Sequence, residues 1–314
     1  MHRKLTASTA LLLTVPPLLW AGNAIVGRLV RDAVSPMTLN LLRWSLALLI
    51  LLPLGRALLR QGSGLWRDWR RYSLLGLLGV GLYNSLQYLA LQSSTPINVT
   101  LVAAGMPVWM LLIGALCFKM PVKRRQVAGA ALSICGVLLV LSRGEWRQLL
   151  AMRLMAGDLY MILATIAWSF YSWLLIQSKG RDAQDQLTQD RPAQDERPAI
   201  GTDWAAFLLA QVVYGVFWSG LLAAGEWSLG AGQVDWSWKV ALALLYVALG
   251  PAVLAFRCWG AGVQRAGPTV AAFFSNLTPL FAALMSLAFL GEPPHLYHIA
   301  AFALIVGGIA WSSR

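Results

Sequence analysis

The sequence predicts an all-α integral membrane fold, ten transmembrane helices arranged as two inverted five-helix repeats. Three observations carry this. First, 58% of the 314 residues are hydrophobic and 12% are charged, against about 25% charged in soluble domains. A globule of this size cannot hide so much apolar surface from water, so lipid must cover it. Second, ten stretches approach the ~20 apolar residues that a helix needs to cross ~30 Å of hydrocarbon, although several are short or glycine-rich. Third, shifting the chain by 172 residues superposes Gln92 on Gln264, Pro96 on Pro268, Pro107 on Pro279, Pro121 on Pro293 and Gly136 on Gly308 without a gap.

The expected spans are 6–29, 36–54, 73–93, 96–118, 125–142, 157–178, 203–224, 238–261, 268–290 and 296–312. No ten-residue alternating pattern suggests a β-barrel, so the backbone groups in lipid must be satisfied within helices. The apolar run behind Arg3 and Lys4 resembles a signal peptide, but the repeat needs it as its first helix.

From the first span Trp20 and Asn23 join the candidates, and within the second Arg43 lies too deep to snorkel easily. The third places Asn84, Gln87 and Tyr88 on one helical face beside Tyr83. The fourth contains Pro107 and Trp109. The sixth sets Thr165, Trp168, Ser169 and Ser172 at i, i+3, i+4 and i+7, and the seventh repeats this with Gln211, Tyr214, Gly215 and Trp218. In the ninth, Ser275, Asn276 and Thr278 precede Pro279.

Polar groups at membrane depth face either a cavity or another helix. The candidate substrate-cavity set is therefore Trp20, Asn23, Tyr83, Asn84, Gln87, Tyr88, Trp109, Trp168, Ser169, Tyr214, Trp218 and Asn276. Each of these also has a reading as simple helix-to-helix adhesion. Arg43 could anchor a carboxylate or hydrogen-bond a neighbouring helix. Pro107 and Pro279 each remove a backbone bond and are expected to kink equivalent helices as hinges. Eight tryptophans (66, 69, 146, 204, 227, 236, 238 and 311) fall near span ends, as an interfacial belt requires.

Basic residues set the orientation. With the N-terminus inside, the inner segments hold Arg3, Lys4, Arg56, Arg60, Arg67, Arg70, Arg71, Lys119, Lys123, Arg124, Arg125, Lys179, Arg181, Arg191, Arg197, Arg265 and Arg314. The outer ones hold Arg28, Arg31, Arg143, Arg147, Arg153 and Lys239. This bias predicts cytoplasmic termini in the cell inner membrane. Five spans per copy is odd, so the second copy must enter facing the other way. Consistent with that, Lys119–Arg125 aligns with Gly291–Tyr297, which has lost its lysines and arginines. Inverted repeats are the architecture of many secondary transporters.

The halves run 1–142 and 156–314, with an outer linker at 143–155. The polar stretch 179–202 reads as a disordered cytoplasmic loop.

Other classes lack their residues. The cations lie in separate loops rather than on one domain, which excludes nucleic acid as a partner. There is no phosphate loop for a nucleotide, and no metal set around His2, His295 and His298. Three cysteines inside apolar stretches make no disulfide framework. No cofactor and no enzymatic cluster is expected. No carboxylate lies well inside a span, so an ion or proton relay is not expected either.

The stretch Trp20-Ala-Gly-Asn23, Arg43 after Pro36, Pro107, and Pro279 followed by Leu290-Gly-Glu292 resemble motifs of the EamA family of the drug/metabolite transporter superfamily. The first half departs from the pattern with Phe118-Lys-Met120. The resemblance implies a ten-helix carrier of small metabolites. The tryptophan and tyrosine content is similar to members that export aromatic amino acids, and the neutral amides, hydroxyls and rings of the candidate residues suit a neutral or zwitterionic substrate. Exporters of sugars, nucleosides or cationic compounds, and a channel, stand as alternatives. The expected partners are a small-molecule substrate and the bilayer, and a monomer suffices.

Overall fold

A computed structural model describes residues 5–59, 65, 68–94, 96–151, 155–188, 203–290 and 296–313. These residues are helical throughout, apart from short turns and one antiparallel bridge, Val34 to Val234. We number the main helices α1 (Ala7–Leu29), α2 (Pro36–Leu54), α3 (Trp69–Ser93), α4 (Pro96–Ala104), α5 (Met106–Phe118) and α6 (Arg124–Leu141). The second set is α7 (Ala156–Thr188), α8 (Trp204–Ser228), α9 (Trp238–Ala266), α10 (Pro268–Ser275), α11 (Leu277–Leu290) and α12 (Leu296–Ser313). Eight of these, α1, α2, α3, α6, α7, α8, α9 and α12, are long and apolar enough to cross a membrane. The pairs α4/α5 and α10/α11 are apolar stretches, each broken into two shorter helices.

The breaks have a physical cause. A proline cannot bond its nitrogen to the carbonyl one turn back, and its ring crowds that carbonyl. Pro107 and Pro279 therefore do not kink continuous helices as expected from the sequence. Instead the helix stops at Gly105 or Asn276, and each proline sits in the first turn of the next piece, where no backbone donor is needed.

Two further irregularities were not expected. Within α3, Gly76–Leu82 is π-helical, and within α9, Ala248–Leu254 is π-helical around Pro251. These seven-residue segments are 172 residues apart at both ends. One holds three glycines (Gly76, Gly79, Gly81) and the other a proline, so different residues loosen the ladder at the same place. Side chains take the freed carbonyls. Asn40 Nδ2 donates to Val80 O at 2.9 Å, and Trp20 Nε1 donates to Pro251 O at 3.4 Å.

The same register relates other elements. α4 and α10 begin at Pro96 and Pro268, α5 and α11 end at Phe118 and Leu290, and α6 and α12 coincide at both ends. Packing follows the order of the elements, with α7 in the place of α1. α1 lies on α9 as α3 lies on α7, and α4 and α5 lie on α7 as α10 and α11 lie on α1. Exchanging the halves exchanges these contacts. α2 pairs with α8 and α6 with α12, each with its own counterpart.

Both of those pairs are antiparallel. A Cβ on Gly129 would fall 2.7 Å from Gly308 O, and one on Gly136 would fall 2.9 Å from Ala301 O. Lower numbers on α6 therefore meet higher numbers on α12. Likewise Asn40 bonds Ser219 at 3.1 Å while Gly55 abuts Ala205. Small residues at these crossings let the backbones approach closely.

Outer faces carry exposed Leu11, Leu29, Leu116, Leu221, Leu242 and Phe302. Trp69, Trp204, Trp227, Trp236, Trp238 and Trp311 are also exposed near helix ends, which matches the expected belt positions; the side chains of Trp66 and Trp146 lie outside the described set.

α7 differs from expectation. It continues as helix to Thr188, ten residues into the stretch whose composition reads as a loop. Lys, Arg, Ala, Gln and Leu there are good helix formers, and no proline occurs before Pro192. Residues 189–202, and the Glu292 and Pro293 of the ninth-span motif, lie outside the described residues.

Candidate functional site

A cavity of about 200 Å³ lies between α1, α3, α4 and the broken pair α10/α11. From α1 it takes Trp20, Ala21, Ala24, Ile25 and Arg28; from α3, Tyr83, Gln87 and Leu91. Val99, Thr100, Ala103 and Ala104 of α4 and Met106 of α5 form one side. Ser275, Thr278, Pro279 and Ala282 form the facing side. Both breaks thus border the cavity, because interrupting a helix lets short polar side chains and backbone line a space that a regular apolar helix would fill.

Trp20 to Arg28 and Tyr83 to Leu91 each span about two helical turns, so the cavity runs along both helices toward their C-terminal ends. Arg28 at that rim is exposed. The other end is closed by rings. Trp168, fully buried, packs against Trp20 (5.2 Å between centroids, 90°), Tyr83 (4.7 Å), Tyr171 (4.9 Å), Phe256 (5.2 Å) and Trp259 (5.5 Å). Edge-on and tilted arrangements of this kind are favourable for aromatic quadrupoles. Trp259 is fixed in turn by Ser172 Oγ at 3.1 Å. The lining contains no carboxylate.

Of the sequence candidates, Trp20, Tyr83, Gln87 and Pro279 line this cavity. Trp168 forms its floor through Trp20 and Tyr83. Asn23, Asn84 and Tyr88 belong instead to a buried cluster around Arg43, behind the wall that α1 and α3 present. Arg43 Nη1 donates to Asn84 Oδ1 at 2.8 Å, the Tyr88 hydroxyl at 3.1 Å and Asn23 Oδ1 at 3.3 Å; the Tyr88 hydroxyl donates to Asn23 Oδ1 at 2.9 Å.

The remaining candidates sit at joints between helices. Tyr214 donates to Leu65 O at 3.1 Å and Trp218 Nε1 to Ser73 Oγ at 3.0 Å, tying α8 to the region where α3 begins. Asn276 Nδ2 donates to Ser133 Oγ at 2.8 Å, fixing the α10/α11 break on α6. Ser169 Oγ returns to Thr165 O of its own helix at 2.8 Å. Trp109 is half-buried and away from the cavity lining.

Sequence reading left out Thr100, Ser275 and Thr278 from its candidate set. Ser275 and Thr278 flank the α10/α11 break, whereas Thr100 lies in the middle of α4.

It also overlooked Glu226. This carboxylate, at the end of α8, caps α2. It accepts from Ser35 Oγ (2.6 Å), Thr38 Oγ1 (2.8 Å), Met37 N (3.0 Å) and Thr38 N (3.0 Å). An anion at a helix N-terminus is stabilised by the unpaired amides and the dipole there. A second carboxylate, the buried Asp158 at the start of α7, accepts from Ser94 Oγ and, at 2.7 Å, from Met155 N. Both are structural staples at helix ends. Among the described residues no group of three or more His, Cys, Asp or Glu could hold a metal ion.

Comparison with known proteins bears on the family and the fold. The chain matches the EamA-like transporter family over residues 7–142 and 196–314, two blocks separated by a stretch that includes α7. It is 27% identical over 307 residues to an uncharacterized transporter of Archaeoglobus fulgidus, covering 97% of both chains. It is 26% identical to a probable amino-acid metabolite efflux pump of Salmonella typhimurium, covering 74% of each. It is 24% identical to the aromatic amino acid exporter YddG of Ancylobacter novellus, covering 93% of this chain and 92% of that one. A crystal structure 23% identical in sequence superposes with a TM-score of 0.71 over 98% of the chain and 96% of its own, which shows a common fold. With the family matched along both halves of its length, this multi-pass membrane protein belongs to the EamA-like transporter family.

Proposed function

We propose that this family member is a secondary transporter that moves neutral or aromatic amino acids across the inner membrane, in the export direction, by alternating access. The observation that carries the reading is the cavity itself. It is enclosed by both halves, lined by aromatic rings, Gln87, Thr100, Ser275 and Thr278 without a carboxylate, and closed at one end by the Trp168 cluster.

At about 200 Å³ it falls below the roughly 300–1,000 Å³ of drug-sized sites, which favours a small metabolite. The absence of an acidic lining residue and the presence of Arg28 at the rim disfavour cationic substrates. The names of the relatives from Salmonella typhimurium and Ancylobacter novellus point the same way.

Ten crossings in two inverted repeats complete the picture. The 172-residue register, the exchanged contacts and the antiparallel α6–α12 and α2–α8 pairs support it, each broken pair counting as one crossing. The halves are 1–142 and 156–314, and the basic-residue bias places both termini in the cytoplasm. Alternating access then follows from exchanging the conformations of two equivalent halves. In that scheme the cavity described here opens to the outside, and the Trp168 cluster is the closed inner barrier. No ion site is required, and exchange or facilitated movement suffices.

The test is counterflow. Purified protein in liposomes preloaded with unlabelled amino acid should accumulate labelled phenylalanine or leucine transiently and saturably. Flux without saturation or counterflow would indicate a channel. An absence of counterflow for every amino acid in folded protein would overturn the substrate assignment.

A further inference from the structure

The Arg43 cluster has a feature that its role as a helix joint does not use. Arg43 is fully buried in the middle of α2, and among the described residues no carboxylate pairs with it; the single ion pair there is Arg31–Asp32 at the surface. All its hydrogen bonds leave from Nη1. Nε and Nη2, the two donors along the other edge of the guanidinium, have no acceptor, and neither has Asn84 Nδ2. Leaving a buried charge without a counterion costs several kcal/mol. The free edge offers two parallel N–H groups in the fork geometry that matches one carboxylate.

The cluster also shares its walls with the cavity. Asn84 and Tyr88 alternate along α3 with Tyr83 and Gln87, which line it, and Asn23 lies on α1 between the lining residues Ala21 and Ala24. The two spaces are thus neighbours across α1 and α3.

We propose that the Nε–Nη2 edge of Arg43, with Asn84 Nδ2, is a subsite for a monoanion, supplied by the carboxylate of the transported molecule. The assignment rests on the transport reading above for the source of the carboxylate. It deepens that reading to a substrate class: an apolar body in the aromatic cavity and a carboxylate at Arg43. Molecules that keep the ring but replace the carboxylate by an amide are then poor ligands. The side chains of Asn23, Asn84 and Tyr88 are positioning residues, holding one edge of the guanidinium so that the other stays free.

Binding can be read without transport. Thermal unfolding of the detergent-solubilised full-length protein would be followed in chloride-free sulfate buffer. The additions are 3-phenylpropionate, its amide 3-phenylpropanamide, and chloride, each tested on wild type, Arg43→Gln and Arg43→Lys. The acid should raise the wild-type Tm by at least about 2 °C, and the amide should not. The rise should vanish in Arg43→Gln and be weakened in Arg43→Lys, which keeps the charge but not the fork.

A rise with chloride that abolishes the response to the acid would assign the monoanion to an inorganic source and overturn the substrate carboxylate. Equal shifts from acid and amide, or a shift retained in Arg43→Gln, would overturn the subsite. If neither variant folds, the wild-type comparison of acid with amide decides alone. Binding without counterflow would sink the transport reading and leave the subsite standing; counterflow with no acid-specific shift would do the reverse.

Discussion

Substituting Glu226 by glutamine removes a charge while keeping the shape of the side chain. Four donors converge on this carboxylate, two of them main-chain amides of the first turn of α2 and two the hydroxyls of Ser35 and Thr38. The hydroxyls can rotate toward other acceptors, since Ser35 Oγ already lies 3.0 Å from Thr38 Oγ1. The amides cannot. A hydrogen bond to a charged group contributes about 1.5–3 kcal/mol against about 1 for a neutral one, and the interaction with the helix dipole adds about 0.3–1 kcal/mol. One amide keeps a carbonyl acceptor in the variant, while the other faces an NH2 group.

The expected loss is about 1.5–3 kcal/mol. At about 2–4 °C per kcal/mol, this lowers Tm by roughly 3–12 °C in a thermal unfolding assay of the purified protein at neutral pH. Glu226→Ala, which leaves all four donors without this acceptor, should fall further. A Tm within about 1 °C of wild type for both variants would refute the argument that the end of α8 holds the start of α2.

Other expectations follow from the same structure. Gly308→Ala would put a Cβ 2.6 Å from Gly129 O and should cost about 1–3 kcal/mol. Gly307→Ala, whose Cβ meets only Leu132 Cδ2 at 3.5 Å, should be tolerated; equal Tm values for the two variants would contradict the α6–α12 contact. Trp168→Ala removes the ring that five others share and should destabilise by about 3–5 kcal/mol. It should also lower counterflow at saturating substrate, and unchanged counterflow would show that the aromatic floor plays no part in transport. Gln87→Leu should raise the half-saturating concentration severalfold with little change in Tm; the opposite pattern would make Gln87 a packing residue.

Several features of the fold were legible in the chain because they depend on local chemistry. Apolar length and the 172-residue spacing of helix ends both survive translation into structure, since helix formation and lipid burial respond to residues close in sequence. Proline positions were legible as irregularities, yet their form was not. Pro107 and Pro279 end one helix and start another, because the preceding Gly105 and Asn276 give the chain a place to stop. The π-helical turns were visible in neither half, because three glycines in one and Pro251 in the other produce them by different routes. For the site, a polar residue in a span announces only that it needs a partner. Trp20, Tyr83 and Gln87 found the cavity, whereas Tyr214, Trp218 and Asn276 found other helices. Periodicity reports which face a residue occupies and says nothing of what packs against that face.

The sequence by itself determined that this chain is a helical membrane protein with a family kinship, because hydrophobicity and punctuation are one-dimensional properties. Only the tertiary structure decided that Glu226 caps a helix 190 residues away, that Trp168 closes the cavity floor, and that Arg43 uses one edge of its guanidinium and leaves the other free. Those outcomes depend on distances between helices far apart in the chain, set by how closely small residues let their backbones approach.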